Sequence, residues 1–228
     1  MREELETGTL YYSTNLRAPH VSFREALLKG LAPDGGLYMP IHLPKLKSFE
    51  LEAISKATYP ELASEIINRI TGSEIIKDDL RNICEEIYTF SIPLEYISDK
   101  NYLMRLDQGP SASFKDFAAL LMGRLMQYFL CLEDKYITIL TATSGDTGSA
   151  VANAFHALEN VRVLILFPSG EVTEMQRKQM TTFHDNIQVI EIDGKFDDCQ
   201  RLVKAAFMDP LLSGKNLSSA NSINIGDA

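Results

Sequence analysis

The chain has 228 residues, enough for one large domain or two small ones with a real core, and its 45% hydrophobic and 23% charged content is that of an ordinary globular protein. A formal net charge of −9 argues against non-specific nucleic-acid binding, which needs a basic surface, but leaves room for a small anion held by a local cluster of donors. No stretch approaches the ~20 apolar residues of a membrane helix, and the polar segment from Met1 to Asn15 lacks the apolar run of a signal peptide.

The three cysteines, Cys84, Cys131 and Cys199, are far apart and odd in number, which is neither a disulfide framework nor a zinc spacing. They read as reduced thiols of a cytoplasmic protein. The four histidines are scattered and no metal site is expected.

Residues 1–100 read mainly as helices and loops, and residues 101–228 as a separate α/β region. Ser22 and Glu25 have the spacing of a capping box that opens a helix ending at Gly30. Asp34-Gly35-Gly36 is a turn, and Pro40 and Pro44 mark a loop. Helical periodicity returns at 49–57, 60–71 and 76–90, where Leu80, Ile83, Cys84 and Ile87 share a face.

From Tyr102 to Leu106 a short strand-like run opens the second region, followed by an amphipathic helix over 115–131. A buried strand at 136–140 precedes a helix that opens near Thr147. A second buried strand (161–167), a helix (173–183), a strand (187–192) and a helix (196–207) complete the series. This alternation predicts a parallel sheet flanked by helices, with ligands beyond the carboxyl ends of its strands.

Two strand-to-helix junctions carry chemistry. In Thr141 to Gly148, small residues let the backbone approach a ligand, and the helix start offers free N–H groups to a carboxylate or phosphate. Its spacing fits neither a dinucleotide fingerprint nor a P-loop, so a nucleotide-binding domain is a weak alternative. The structural alternative is a tight turn with Ser144 or Asp146 as the cap. In Gly109 to Asp116, Lys115 falls in the first turn of a helix, where its charge opposes the dipole. A surface lysine is the ordinary reading. The other is an amine kept available for Schiff-base chemistry, with Asp116 compensating the helix end. The segments from Phe167 to Gln176 (running on to Gln179 and Met180), from Asp193 to Gln200 and from Ser219 to Gly226 show no chemistry in their spacing.

Taken in order, these segments resemble the threonine synthase family, a resemblance that covers nearly the whole chain. Tyr11 to Thr14 with Val21 to Ala26, and Ala32 to Pro40, are similar to the family's opening signatures. Ser113-Phe114-Lys115-Asp116 is similar to its cofactor-lysine motif, and Ala142 to Gly148 to its ligand loop. Gly194 with Phe196 to Gln200, and Asn221 to Asn224, are similar to later signatures.

The resemblance implies an α/β, fold-type-II (tryptophan synthase β-like) architecture that binds pyridoxal 5'-phosphate (PLP). It implies conversion of O-phospho-L-homoserine and water to L-threonine and phosphate. Carried over by motif, Lys115 would form the Schiff base and then move protons. Ser113 and Phe114 would flank the cofactor, and Asn224 would face it. Thr143, Ser144, Gly145, Asp146 and Thr147 would hold the substrate carboxylate or the cofactor near its ring hydroxyl. The family pattern continues beyond Gly226 with its glycine-rich phosphate loop and the hydroxyl partner of the pyridine nitrogen. That continuation implies a truncated chain with little or no turnover by itself and a tendency to self-associate. Alternatives are another enzyme of the fold type, such as a threonine dehydratase or a cysteine synthase, and a non-catalytic relative that binds a phosphorylated small molecule. The amino-terminal signatures and Phe196 to Gln200 favour threonine synthase.

Overall fold

The computed structural model describes residues 9–212 and 214–227; the start of the polar amino-terminal segment and Ala228 lie outside them. The chain forms two compact units that meet in sequence between Thr89 and Phe90.

The first unit pairs β1 (Tyr11–Ser13) with β2 (Tyr38–Pro40) in an antiparallel ribbon and carries the helices α1 (Phe23–Lys29), α2 (Ser48–Ile54), α3 (Tyr59–Thr71) and α4 (Lys77–Ile87). The three later helices fall where the apolar periodicity places them, and Leu80, Cys84 and Ile87 of α4 are buried. The ribbon has no counterpart in the sequence reading, since three-residue strands are too short to show a period. Asp34 ties the turn before β2 to β1: its carboxylate accepts from Ser13 Oγ at 2.6 Å and from the N–H groups of Arg17 and Gly36. The Ser13 hydrogen bond first, then those N–H groups, hold its carboxyl down at about 2.

The start of α1 departs from the expected capping box. Ser22 Oγ does accept the Glu25 N–H, at 3.2 Å. The Glu25 carboxylate, however, turns along the helix to Lys29 Nζ at 2.6 Å. The reciprocal role passes to Glu74, whose two oxygens accept the N–H groups of Phe23 (2.7 Å) and Arg24 (3.0 Å). A residue about fifty positions away caps the helix, so no local spacing could show it. Glu74→Ala should lower the unfolding free energy of this unit by about 1–2 kcal/mol, the usual effect of losing a helix cap, measured by urea denaturation.

The second unit begins with an antiparallel hairpin, β3 (Leu94–Ser98) and β4 (Asn101–Met104). The strand-like run of Tyr102 to Leu106 is a strand over Asn101–Met104, and it pairs with β3 across the Asp99-Lys100 turn, outside the parallel sheet. Asp99 is left-handed at φ +51°, the conformation that a two-residue hairpin turn requires.

The parallel sheet has the order β7-β6-β5-β8, with β5 Ile137–Ala142, β6 Val161–Pro168, β7 Ile187–Ile192 and β8 Leu217–Ser218. Its helices are α5 (Lys115–Glu133), α6 (Asp146–Phe155), α7 (Glu174–Thr181) and α8 (Phe196–Met208). Leu140, Ala142 and Leu166 pack with Cys199 and Val203 of α8 on one face. Ile139, Val163 and Ile165, which alternate with them, are fully buried on the other. Both faces are covered, which is why these strands read as continuous apolar runs. At Gly123 a side chain would come within 3.1 Å of the Ala154 carbonyl, so glycine sets how closely α5 approaches α6.

Candidate functional site

The candidate residues gather on three segments of the second unit. One leads into α5, one follows β5, and one follows β8. The last two therefore lie beyond the carboxyl ends of parallel strands, where such sheets place their ligands.

Lys115 is the first residue of α5. Its N–H donates to Ser113 Oγ at 3.2 Å, and the Ser113 carbonyl accepts the Asp116 N–H at 3.1 Å. Ser113 is buried, while Phe114 is 58% exposed with its ring centroid 5.2 Å from Lys115 Nζ. Asp116 does more than compensate the helix end. It is fully buried, and its Oδ2 accepts the Ser111 N–H at 2.9 Å, clamping the loop before the lysine. Gly109 lies against this carboxylate where any side chain would collide with it. Ser111 Oγ and Asp116 Oδ1 are buried with no hydrogen-bond partner among the described residues.

The loop after β5 is organised by Thr143. Its Oγ1 accepts the N–H of Gly145 at 2.9 Å and of Gly148 at 2.8 Å. The cap of α6 is therefore neither Ser144 nor Asp146, as the turn reading had it. Gly145 occupies the cap position at φ +137°, which a side chain would not tolerate, and the capping oxygen comes from two residues earlier. With Gly148 taken by Thr143 and Ser149 by the Gly145 carbonyl, Asp146 and Thr147 supply the open N–H groups of the first turn. Ser144 and Asp146 are exposed and Thr147 is half-buried at this opening.

Helix α7 ties the first two loops together. Gln176 Nε2 donates to Asp146 Oδ1 at 2.8 Å, and Gln179 Nε2 donates to the Ser111 carbonyl at 3.3 Å. The two glutamines stand one turn apart on the same face. The spacing was visible in the sequence, but what it bridges was not.

The third segment runs from Ser219 to Asp227. Thr141 Oγ1 and Ser219 Oγ both donate to Asn221 Oδ1, at 2.8 and 2.6 Å. Asn224 is fully buried and braces its own loop. Its Nδ2 donates to the Ser219 carbonyl at 2.9 Å, and its Oδ1 accepts the Gly226 N–H at 2.9 Å. Asp227 then meets Lys115, with Oδ2 3.4 Å from Nζ. Its side chain is 2% exposed and that of Lys115 is 22% exposed. Burial pushes the Asp227 carboxyl above its usual range, and the Lys115 ammonium pulls it back. Nothing in the sequence pointed to this residue.

Residues 88–222 match the family profile described as pyridoxal-phosphate dependent enzyme, and residues 10–88 the one described as threonine synthase N terminus. The threonine synthase of Pseudomonas aeruginosa is 41% identical over 221 residues, which cover 94% of this chain and 47% of that protein. A PLP-bound threonine synthase structure from Brucella melitensis superposes with a TM-score of 0.88 at 39% identity, covering 96% of this chain and 49% of that one. The Escherichia coli threonine synthase structure gives 0.88 at 37% identity, with 96% and 51% covered. The chain spans about half the length of the curated relatives it matches. Among the described residues no helix is long and apolar enough to cross a membrane, and no group of acidic, cysteine or histidine side chains is placed to hold a metal ion.

Proposed function

We propose, for a chain that belongs to the pyridoxal-phosphate dependent enzyme family, that it is the lysine-bearing part of a threonine synthase. The reaction is the conversion of O-phospho-L-homoserine and water to L-threonine and phosphate. The observation that carries the reading is the convergence of three chain-distant segments: the Lys115 loop, the Thr143–Thr147 loop and the Ser219–Asp227 segment are joined by Gln176, Gln179, Asn221 and Asp227. The free cysteine thiols accord with work in the cytoplasm.

The residues present fit the cofactor. A half-buried amine stands at a helix start, and in the loop and first turn around it two buried polar atoms, Ser111 Oγ and Asp116 Oδ1, have no hydrogen-bond partner among the described residues. When bound, PLP supplies an electron sink for carbanions. Lys115 is the amine that holds it and the group that carries protons to and from the reacting carbons. Asp146 and Thr147 offer backbone N–H groups, at the positive end of α6, to the carboxylate of an amino-acid substrate. Ser113 and Phe114 flank the lysine, and Asn224 acts by shaping the loop that faces it.

The test is to incubate the purified chain with PLP, reduce with borohydride and map the label by mass spectrometry. Label is expected at Lys115 and is lost in Lys115→Ala, with the fold checked by circular dichroism. Label spread over exposed lysines, or none in a folded sample, would count against the reading.

A further inference from the structure

We infer that Asp227 is a positioning residue for the cofactor lysine, holding Lys115 Nζ in an ion pair that must open before the amine can react with an aldehyde. The pair is built into the loop. The Asp227 N–H donates to the Asn224 carbonyl at 3.0 Å, the Gly226 N–H donates to Asn224 Oδ1 at 2.9 Å, and Asn224 Nδ2 is anchored on the Ser219 carbonyl at 2.9 Å. Fully buried Asn224 therefore sets where the Asp227 carboxylate points. At 3.4 Å from Nζ and 2% exposed, that carboxylate is poorly screened by water.

In the pair Nζ donates to the Asp227 carboxylate, and an amine held there is not free to turn toward a carbonyl carbon. The surroundings leave Asp227 as the anion that does this. The neighbouring Asp116 directs Oδ2 to the Ser111 N–H, and Phe114 offers only its ring face. The positive end of α5 itself opposes an ammonium at this position, so the restraint comes from Asp227 and not from the helix. What the pair means for cofactor loading rests on the reading of Lys115 as the cofactor lysine; the pair itself does not.

The experiment is reductive methylation of the 228-residue chain with formaldehyde and cyanoborohydride, with rates read lysine by lysine. Lys77 serves as the internal reference: it is 71% exposed, and its own pair with Glu65 at 3.5 Å lies at the surface, where water screens it. Lys115 should react well below the rate of Lys77 in the unmodified chain. Asp227→Asn, which keeps the shape and removes the charge, should raise the Lys115 rate about fivefold, the factor that opening an ion pair of ~1 kcal/mol corresponds to. The Lys77 rate should stay the same, which a general loosening of the fold would not allow. Lys115 reacting as fast as Lys77 in the unmodified chain, or an unchanged ratio in the variant, would overturn the inference. A parallel arm with PLP and borohydride separates the two readings. Faster methylation with no PLP fixed at Lys115 in either protein keeps the ion pair and removes the cofactor assignment.

Discussion

Thr143→Val should lower the unfolding free energy of the second unit by about 2–4 kcal/mol, because two buried backbone donors lose their acceptor in one substitution. Thr143 Oγ1 accepts from both Gly145 and Gly148, and both bonds are buried. Valine fills the same volume without an oxygen, so the loss isolates the hydrogen bonds from the packing. Serine restores the oxygen and should recover most of the stability. Urea unfolding of the three proteins measures this. If valine and serine are equally stable, the hydroxyl does not hold the turn. The turn is also the candidate substrate loop, so a released Gly145 would carry Asp146 and Thr147 with it. Its loss of order should appear first as faster hydrogen exchange at those two amides.

The parts of the fold that were legible are those whose burial leaves a period. Strands β5 and β6 are buried on both faces and stand out as apolar runs, the partly exposed edge strand β7 still shows its isoleucines and valine, and α5 and α8 keep recognisable apolar positions. The hairpin was half legible: β4 showed its strand character, but its residues are exposed, so no pattern said which partner it takes. The site divides in the same way. Lys115 and the Thr143–Thr147 loop stood out because strand-to-helix junctions have composition rules and the family motifs fall on them. The Lys115–Asp227 pair joins residues 112 positions apart, and the Thr141–Asn221 bond joins residues 80 apart. Neither obeys a local rule. Thr143 was placed in the right loop with its capping function given to Ser144 or Asp146, because cap rules place the acceptor next to the helix. In this loop it stands two residues before the cap position, Gly145.

The same turn supports a second large effect. Gly148→Ala should destabilise the unit by about 1–3 kcal/mol, the range for forcing one extra carbon into a packed interior. A Cβ at Gly148 would stand 2.5 Å from Met180 Sδ and 2.5 Å from Thr143 Cγ2, and Met180 is fully buried. The thioether can swing aside at small cost, because methionine has several rotatable bonds. The Thr143 methyl cannot move, since turning it would carry Oγ1 off the two amides it holds. The rigid half of the clash is thus a methyl group whose hydroxyl is indispensable, which points to a specific suppressor. Thr143→Ser removes the methyl and keeps the oxygen, so it should cost little in the parent chain and relieve part of the strain in Gly148→Ala. The double variant is expected to be more stable than the sum of the single changes by about 1 kcal/mol, a coupling that a urea-denaturation cycle resolves. Strict additivity would mean that the added methyl is accommodated by Met180 alone, and that glycine stands at position 148 to seat α7 against the loop.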